Sequence, residues 1–199
     1  MNLIFLPGAS GSTDFWQPVK QLLPNHLKKS VLAYPSFGGH PDHAEIQSFE
    51  DLQAYVLKHI QQPSVLVAQS MGGIFAVQAA LQKPDLVQAL VLVVTSGGID
   101  LSSFAVADWR EDYQLSFTVP DWFVAHRSDL SEQLKHIQCP VLLIWGDSDP
   151  ISPITVGQYL QQKMSNAELV VLENGQHDLA SVHADQVSTL ILDFIEKIK

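Results

Sequence analysis

A single cysteine, Cys139, stands in a chain of 199 residues, so no intramolecular disulfide can form and the fold cannot depend on an oxidising compartment. Cys139 precedes Pro140 and an apolar run, the setting of a packing thiol, and no base partner for a nucleophile lies beside it. Positive charge is also scarce. Eleven Lys and Arg face 21 Asp and Glu, giving a formal net charge of -10. Such a surface repels phosphate backbones and anionic lipid, which excludes nucleic acid and membrane surfaces as expected partners. Long hydrophobic runs are missing as well. Residues 2–6 are too short for the apolar core of a signal peptide and have no basic residue before them, and nothing approaches a membrane span. The expectation is a cytoplasmic protein. Repeats, low-complexity tracts and linkers are absent too.

What is present is globular: 46% of residues are apolar and 16% charged, and the length suits one domain spanning 1–199. Short, nearly continuous apolar runs recur at residues 3–6, 31–34, 65–68, 89–94, 141–145 and 169–172. Continuous rather than alternating runs fit strands buried on both faces of a parallel sheet. Helical spacing fills most intervals. Between residues 45 and 62, Ile46, Phe49, Leu52, Val56 and Ile60 share one face, and Val187, Leu190, Ile191, Phe194, Ile195 and Ile198 repeat the pattern near the end. Residues 71–83 make a third helix, stopped before Pro84. The expected architecture is α/β: a mostly parallel, doubly wound sheet of about six strands, with functional loops at the strands' carboxyl ends.

One interval breaks the rhythm. From about residue 99 to 138 no strand-like run occurs, yet Phe104, Trp109, Tyr113, Phe117, Trp122 and Phe123 cluster there, as do the chain's two arginines, Arg110 and Arg127. An insertion of this length in a regular α/β pattern points to a small helical cap or lid. Trp109 and Trp122 are candidate apolar contacts for a substrate, and packing of the insertion onto the core is the competing use of the same rings. Each arginine is a candidate for a substrate carboxylate or phosphate, or an ordinary surface ion-pair partner.

Residues 65–73, VLVAQSMGG, run from a buried strand straight into a helix, with Ser70 at the turn. Small residues two before and two after, Ala68 and Gly72, allow strand and helix to approach closely, as in a G-x-S-x-G nucleophile elbow with Ala68 in place of the commoner glycine. A serine at a helix start is also an ordinary cap. Upstream, the first strand ends in LPGASGS followed by Phe15-Trp16, and residues 34–41 read YPSFGGHP. Gly8-Ala9-Ser10-Gly11 has neither the spacing of a dinucleotide fingerprint nor the Lys-Ser/Thr of a P-loop.

With these segments in order, the chain resembles the α/β-hydrolase superfamily over nearly its whole length. Residues 6–16 are similar to the family's His-Gly-x-x-Gly…Trp loop, with Pro7 replacing the histidine, and residues 34–41 to its Asp-x-Pro-Gly-x-Gly-x-Ser turn. The resemblance implies Ser70 as nucleophile, with the amides of Ala9 and Met71 as the oxyanion hole and Ser10 beside them as a substrate contact. Of eight histidines, His177 lies in the loop after the last strand-like run, where the family pattern expects its base. His40 and His43 follow the second run and are candidates to line the site, whereas His59, His136 and His183 belong on helices. Residues 146–153, GDSDPISP, resemble the family's Gly-x-x-Asp-x-Ile/Val-x-Pro signature, which makes Asp149 the acid. Asp147, whose ordinary role is turn formation, is the nearest rival, and Asp100 the third.

The order Ser70…Asp149…His177 matches that of the hydrolases. The resemblance therefore implies a serine esterase that acts on a small, largely apolar ester or thioester and needs no metal or organic cofactor. A carbon–carbon bond hydrolase using the same triad, and a hydrolase-fold protein that binds a ligand or partner without catalysis, remain the alternatives.

Overall fold

The computed structural model describes residues 1–107 and 120–198. Six strands form one sheet: β1 (Asn2–Leu6), β2 (Lys28–Val31), β3 (Ser64–Gln69), β4 (Val87–Val93), β5 (Val141–Gly146) and β6 (Ala167–Leu172). Their spatial order is β2-β1-β3-β4-β5-β6 and every pairing is parallel. β3 and β5 are buried at every residue, which explains why their sequences are apolar without alternation. Strand order reverses between β1 and β3, and there the loops after the two strands diverge to leave a crevice.

Helices α1 (Gln17–Leu22), α2 (Phe49–His59), α3 (Met71–Gln82), α4 (Asp121–Ala125), α5 (Ile154–Lys163), α6 (Leu179–Val182) and α7 (Ala184–Lys197) connect or flank the strands. Right-handed crossovers put α1 on one face and α2, α3 and α5 on the other; α1 packs on α7, and α2 on α3. Among the described residues no helix is long and apolar enough to cross a membrane.

Two edges depart from the sequence expectation. The second strand pairs over residues 28–31 instead of 31–34, in the register Asn2↔Lys28 to Phe5↔Val31. Its apolar continuation serves the core instead of the ladder: Tyr34 is buried, donates its hydroxyl to the Pro7 carbonyl at 3.0 Å, and meets Phe37 and Phe75 edge-on. Lys29, within the strand, reaches back to cap α1 by donating to the carbonyls of Lys20 and Leu23. Helix α2 also starts later than residue 45. The Ser48 hydroxyl accepts from the Asp51 amide at 3.1 Å while Asp51 Oδ2 accepts from the Gln47 amide at 3.1 Å, a reciprocal cap that overrides the longer apolar pattern.

Candidate active site

Ser70 joins β3 to α3 with φ +52° and ψ −121°, a conformation L residues rarely adopt. Three main-chain constraints hold it there. Its amide donates to the Val93 carbonyl at 3.1 Å, and its own carbonyl accepts from the Gly73 amide at 3.0 Å and the Thr95 hydroxyl at 2.5 Å. The small residues around the turn have a steric cause. A Cβ on Gly72 would stand 2.5 Å from the Leu6 carbonyl oxygen and 2.6 Å from that of Pro7, and one on Gly73 would collide with Thr95.

Asp149 follows β5. Its side chain is fully buried, Oδ1 accepts from the amides of Ile151 (2.8 Å) and Ser152 (3.1 Å), and Oδ2 lies 2.8 Å from His177 Nδ1. A carboxylate only accepts, so Nδ1 carries the proton and Nε2 is left as the acceptor for Ser70 Oγ, 3.0 Å away. His177 follows β6, and its loop is fixed from two sides. Gln69 donates Nε2 to the His177 carbonyl at 3.1 Å, and Ser148 donates its amide to the Gly175 carbonyl at 3.0 Å. Gly146 must be glycine here, because a Cβ would run into the Gly175 carbonyl. Residues 107 positions apart in sequence thus form one hydrogen-bonded chain from carboxylate to hydroxyl.

Asp147, the rival acid, is exposed and points elsewhere: Oδ1 accepts from Ser148 Oγ at 2.8 Å and from the Asn174 amide at 2.7 Å, stitching the acid loop to the turn after β6. Ala9 lies in a turn closed by the Gly11 amide donating to the Gly8 carbonyl at 3.0 Å, and Met71 opens α3, where backbone amides lack intrahelical acceptors. Both residues line the cavity beside Ser70, as does Ser10.

That cavity has a volume of about 660 Å³. Phe15, Ile74, Leu101, Val106, Phe123 and Ile151 supply an apolar lining around Ser70 and His177. The sequence profile of the α/β hydrolase fold matches residues 2–123 and 102–184. The chain belongs to the α/β-hydrolase family. Its profile match restarts at residues 102–123, within the β4–β5 connection. An uncharacterised hydrolase of Bacillus subtilis, YugF, is 28% identical, covering 98% of this chain and 90% of that protein. A pimeloyl-acyl-carrier protein methyl ester esterase of Vibrio vulnificus is 25% identical over 88% of this chain and 87% of its own length. Among solved structures, a thermophilic esterase from Thermogutta terrifontis superposes with a TM-score of 0.81 at 17% identity, covering 100% of this chain and 90% of the esterase. Its likeness shows the fold.

Not every expected residue of this hydrolase reaches the cavity. Trp122 packs against Phe37 with ring centroids 6.0 Å apart and lines a separate cavity of about 540 Å³ with His43, so it is not the wall above Ser70. Phe123 takes that place, because adjacent residues of α4 point about 100° apart. Neither His40 nor His43 lines the cavity at Ser70. Trp109, Arg110, Tyr113 and Phe117 lie outside the described residues. Arg127 lies at the cavity's exposed edge, donating Nη1 to the carbonyls of Val124 (2.9 Å) and His126 (2.8 Å). Asp100 and Asp178 line the same space, which offsets its charge toward an anion.

Three residues of the site escaped the sequence reading. Thr95 and Gln69 brace the turn and the His177 loop; their signal was position, each falling at the carboxyl end of a buried strand. His126 stacks on Phe49 at 3.7 Å and 9°, with Nδ1 3.7 Å from Glu50 Oε1. Burial pushes the His126 pKa down, nearby Arg127 acts in the same direction and Glu50 opposes them.

Proposed function

We propose that this α/β hydrolase cleaves carboxylic esters or thioesters of small, largely apolar substrates through an acyl-enzyme on Ser70. The observation that carries the reading is the unbroken Asp149–His177–Ser70 hydrogen-bond chain opening into an apolar cavity. In the first half-reaction His177 Nε2 takes the Ser70 proton as Oγ attacks the substrate carbonyl carbon. Asp149 holds the imidazole tautomer and stabilises its charged form. The oxyanion is received by the amides of Ala9 and Met71, the latter at the positive end of α3, and loss of one such donor costs roughly a hundredfold or more in rate. His177 then protonates the leaving alcohol or thiol, and a water activated by the same histidine releases the acid.

Esterase relatives support ester chemistry, and a lining of Phe15, Ile74, Leu101 and Phe123 supports an alkyl or aryl acyl group. Residues 99–138 act in this reading as a small cap over Ser70, within one domain in the cytoplasm. A fluorophosphonate probe read by intact mass tests it. Wild type gains one adduct and Ser70→Ala gains none; an unlabelled wild type, or equal labelling of Ser70→Ala, overturns the assignment and favours a hydrolase-fold binding protein.

A further inference from the structure

One side chain reaches from the loop that carries His177 to the turn that carries Ala9. We infer that Gln69 is a positioning residue that holds the proposed base and the proposed oxyanion donor in register, a role that rests on the ester-cleaving chemistry proposed for Ser70.

Gln69 ends β3 directly before Ser70 and is 6% exposed. A buried carboxamide costs free energy unless it finds partners, and an apolar residue would fill the same place without that cost. One end of the side chain serves the base. Nε2 donates to the His177 carbonyl at 3.1 Å, across 108 positions of sequence. The other end lies against Gly8. A Cβ added to Gly8 would collide with Gln69 Oε1 and stand 3.2 Å from both Gln69 Cδ and Ser70 Cβ. Gly8 does not have a positive φ, so room for Gln69, and not the backbone conformation, is what demands glycine there.

That contact bears on the oxyanion donor because Gly8 and Ala9 share one peptide unit. The Gly8 carbonyl of this unit accepts from the Gly11 amide at 3.0 Å. The peptide is trans, so the Ala9 N–H points opposite to that carbonyl. With the carbonyl held by Gly11 and the Gly8 Cα held against Gln69, the direction of the Ala9 N–H is set. The same carboxamide holds the His177 loop, whose imidazole meets Ser70 Oγ at 3.0 Å. A carboxamide is planar and of one length. Neither loop can therefore shift toward or away from the other without breaking the Nε2 bond or pressing Gly8 on Oε1. Displacements well under an ångström at reacting groups lower the rate more than the affinity.

Kinetics on p-nitrophenyl butanoate, with thermal melts alongside, test both ends. Gln69→Met keeps the bulk and loses the bond to His177, so kcat is expected to fall about tenfold with KM within about twofold. An unchanged kcat, or a loss confined to the Tm, overturns the inference. Gly8→Ala is expected to lower kcat about a hundredfold by displacing the Ala9 amide. Adding Gln69→Ala removes the colliding group and is expected to return about tenfold of that loss, although Gln69→Ala alone lowers kcat. Two independent packing defects would not give this rescue, and a double variant no more active than Gly8→Ala overturns the inference. Gln69→Ala adds no bulk and covers the case in which Gly8→Ala does not fold. It is expected to weaken inhibition by a trifluoromethyl ketone, whose adduct on Ser70 carries the oxyanion, about tenfold; undiminished inhibition overturns the link to Ala9. Fluorophosphonate labelling separates the causes: labelled wild type with any of these contrary results defeats the Gln69 role alone, and unlabelled wild type defeats the Ser70 reading with it.

Discussion

The two walls of the cavity over Ser70 are built by opposite means. Below, main-chain bonds fix each proposed reacting group: Ser70 by Val93, Gly73 and Thr95, Asp149 by two loop amides, and the His177 loop by Gln69 and Ser148. Above, residues 99–107 and 120–138 contain only the short α4 and one 3₁₀ turn at Leu134–His136 among the described residues. They are tied down at a few points, such as the Leu130 amide on the Gly98 carbonyl and the Ala107 amide on the Pro150 carbonyl, and otherwise by ring contacts such as Phe123 with Phe37. Directional bonds lose most of their strength when displaced by an ångström, whereas apolar contacts re-pack when volume is kept. The lower wall therefore has the rigidity that the proposed bond-making chemistry requires, and the upper wall is the more adaptable of the two.

The most severe break in that contrast is predicted at the acid. Asp149→Asn should lower kcat by about 10⁴-fold, through loss of the correct His177 tautomer, while Asp147→Asn costs less than about tenfold. Esterase kinetics on the pair decide it, and a larger loss at position 147 would reverse the assignment. Gly72→Ala should come next. The added methyl meets the Leu6 and Pro7 carbonyls, pushing apart the two segments that carry Ala9 and Met71. The expected result is a loss of activity of about a hundredfold and of stability by about 1–3 kcal/mol, measured by turnover and denaturant melts. Unaltered activity would show that the close approach does not set the oxyanion geometry.

In the upper wall effects should be smaller and should change selectivity more than rate. Phe123→Leu enlarges the cavity roof, so the preference between p-nitrophenyl acetate and a longer acyl ester should shift by about tenfold, with fluorophosphonate labelling retained. A uniform loss across chain lengths would assign Phe123 to packing alone. Smallest is the effect of His126. Because burial holds its pKa below 6.5, the unfolded chain takes up the proton first as pH falls, and the stability it contributes is present above about 6.5 and lost below. Between pH 7.5 and 5.5 the Tm of wild type should fall further than that of His126→Gln. Equal falls would leave His126 without a titrating role.

The lower wall was also the more legible in sequence. Ser70, Asp149 and His177 each sit just past a continuous apolar run, and a parallel sheet brings such positions to one edge whatever their separation along the chain. Strand ends and helix starts were less legible: the apolar run at 31–34 marks core packing by Tyr34, and only pairing with β1 defines the strand at 28–31. Thr95 and Gln69 carried no motif, since their work is to hold other residues' main chain.

The aromatic density of 99–138 announced an apolar element, but its sequence has no period that says which ring faces Ser70. Tertiary packing decides that: Trp122 turns to Phe37, Phe123 to the cavity and His126 to Phe49. By itself the sequence determined a parallel α/β scaffold, because burial on both faces of a parallel sheet dictates residue type locally, and the resemblance of its motifs to those of α/β hydrolases implied the order of its loops. The 2.8 and 3.0 Å contacts that link Asp149 to His177 to Ser70 exist only once strands distant in sequence lie side by side.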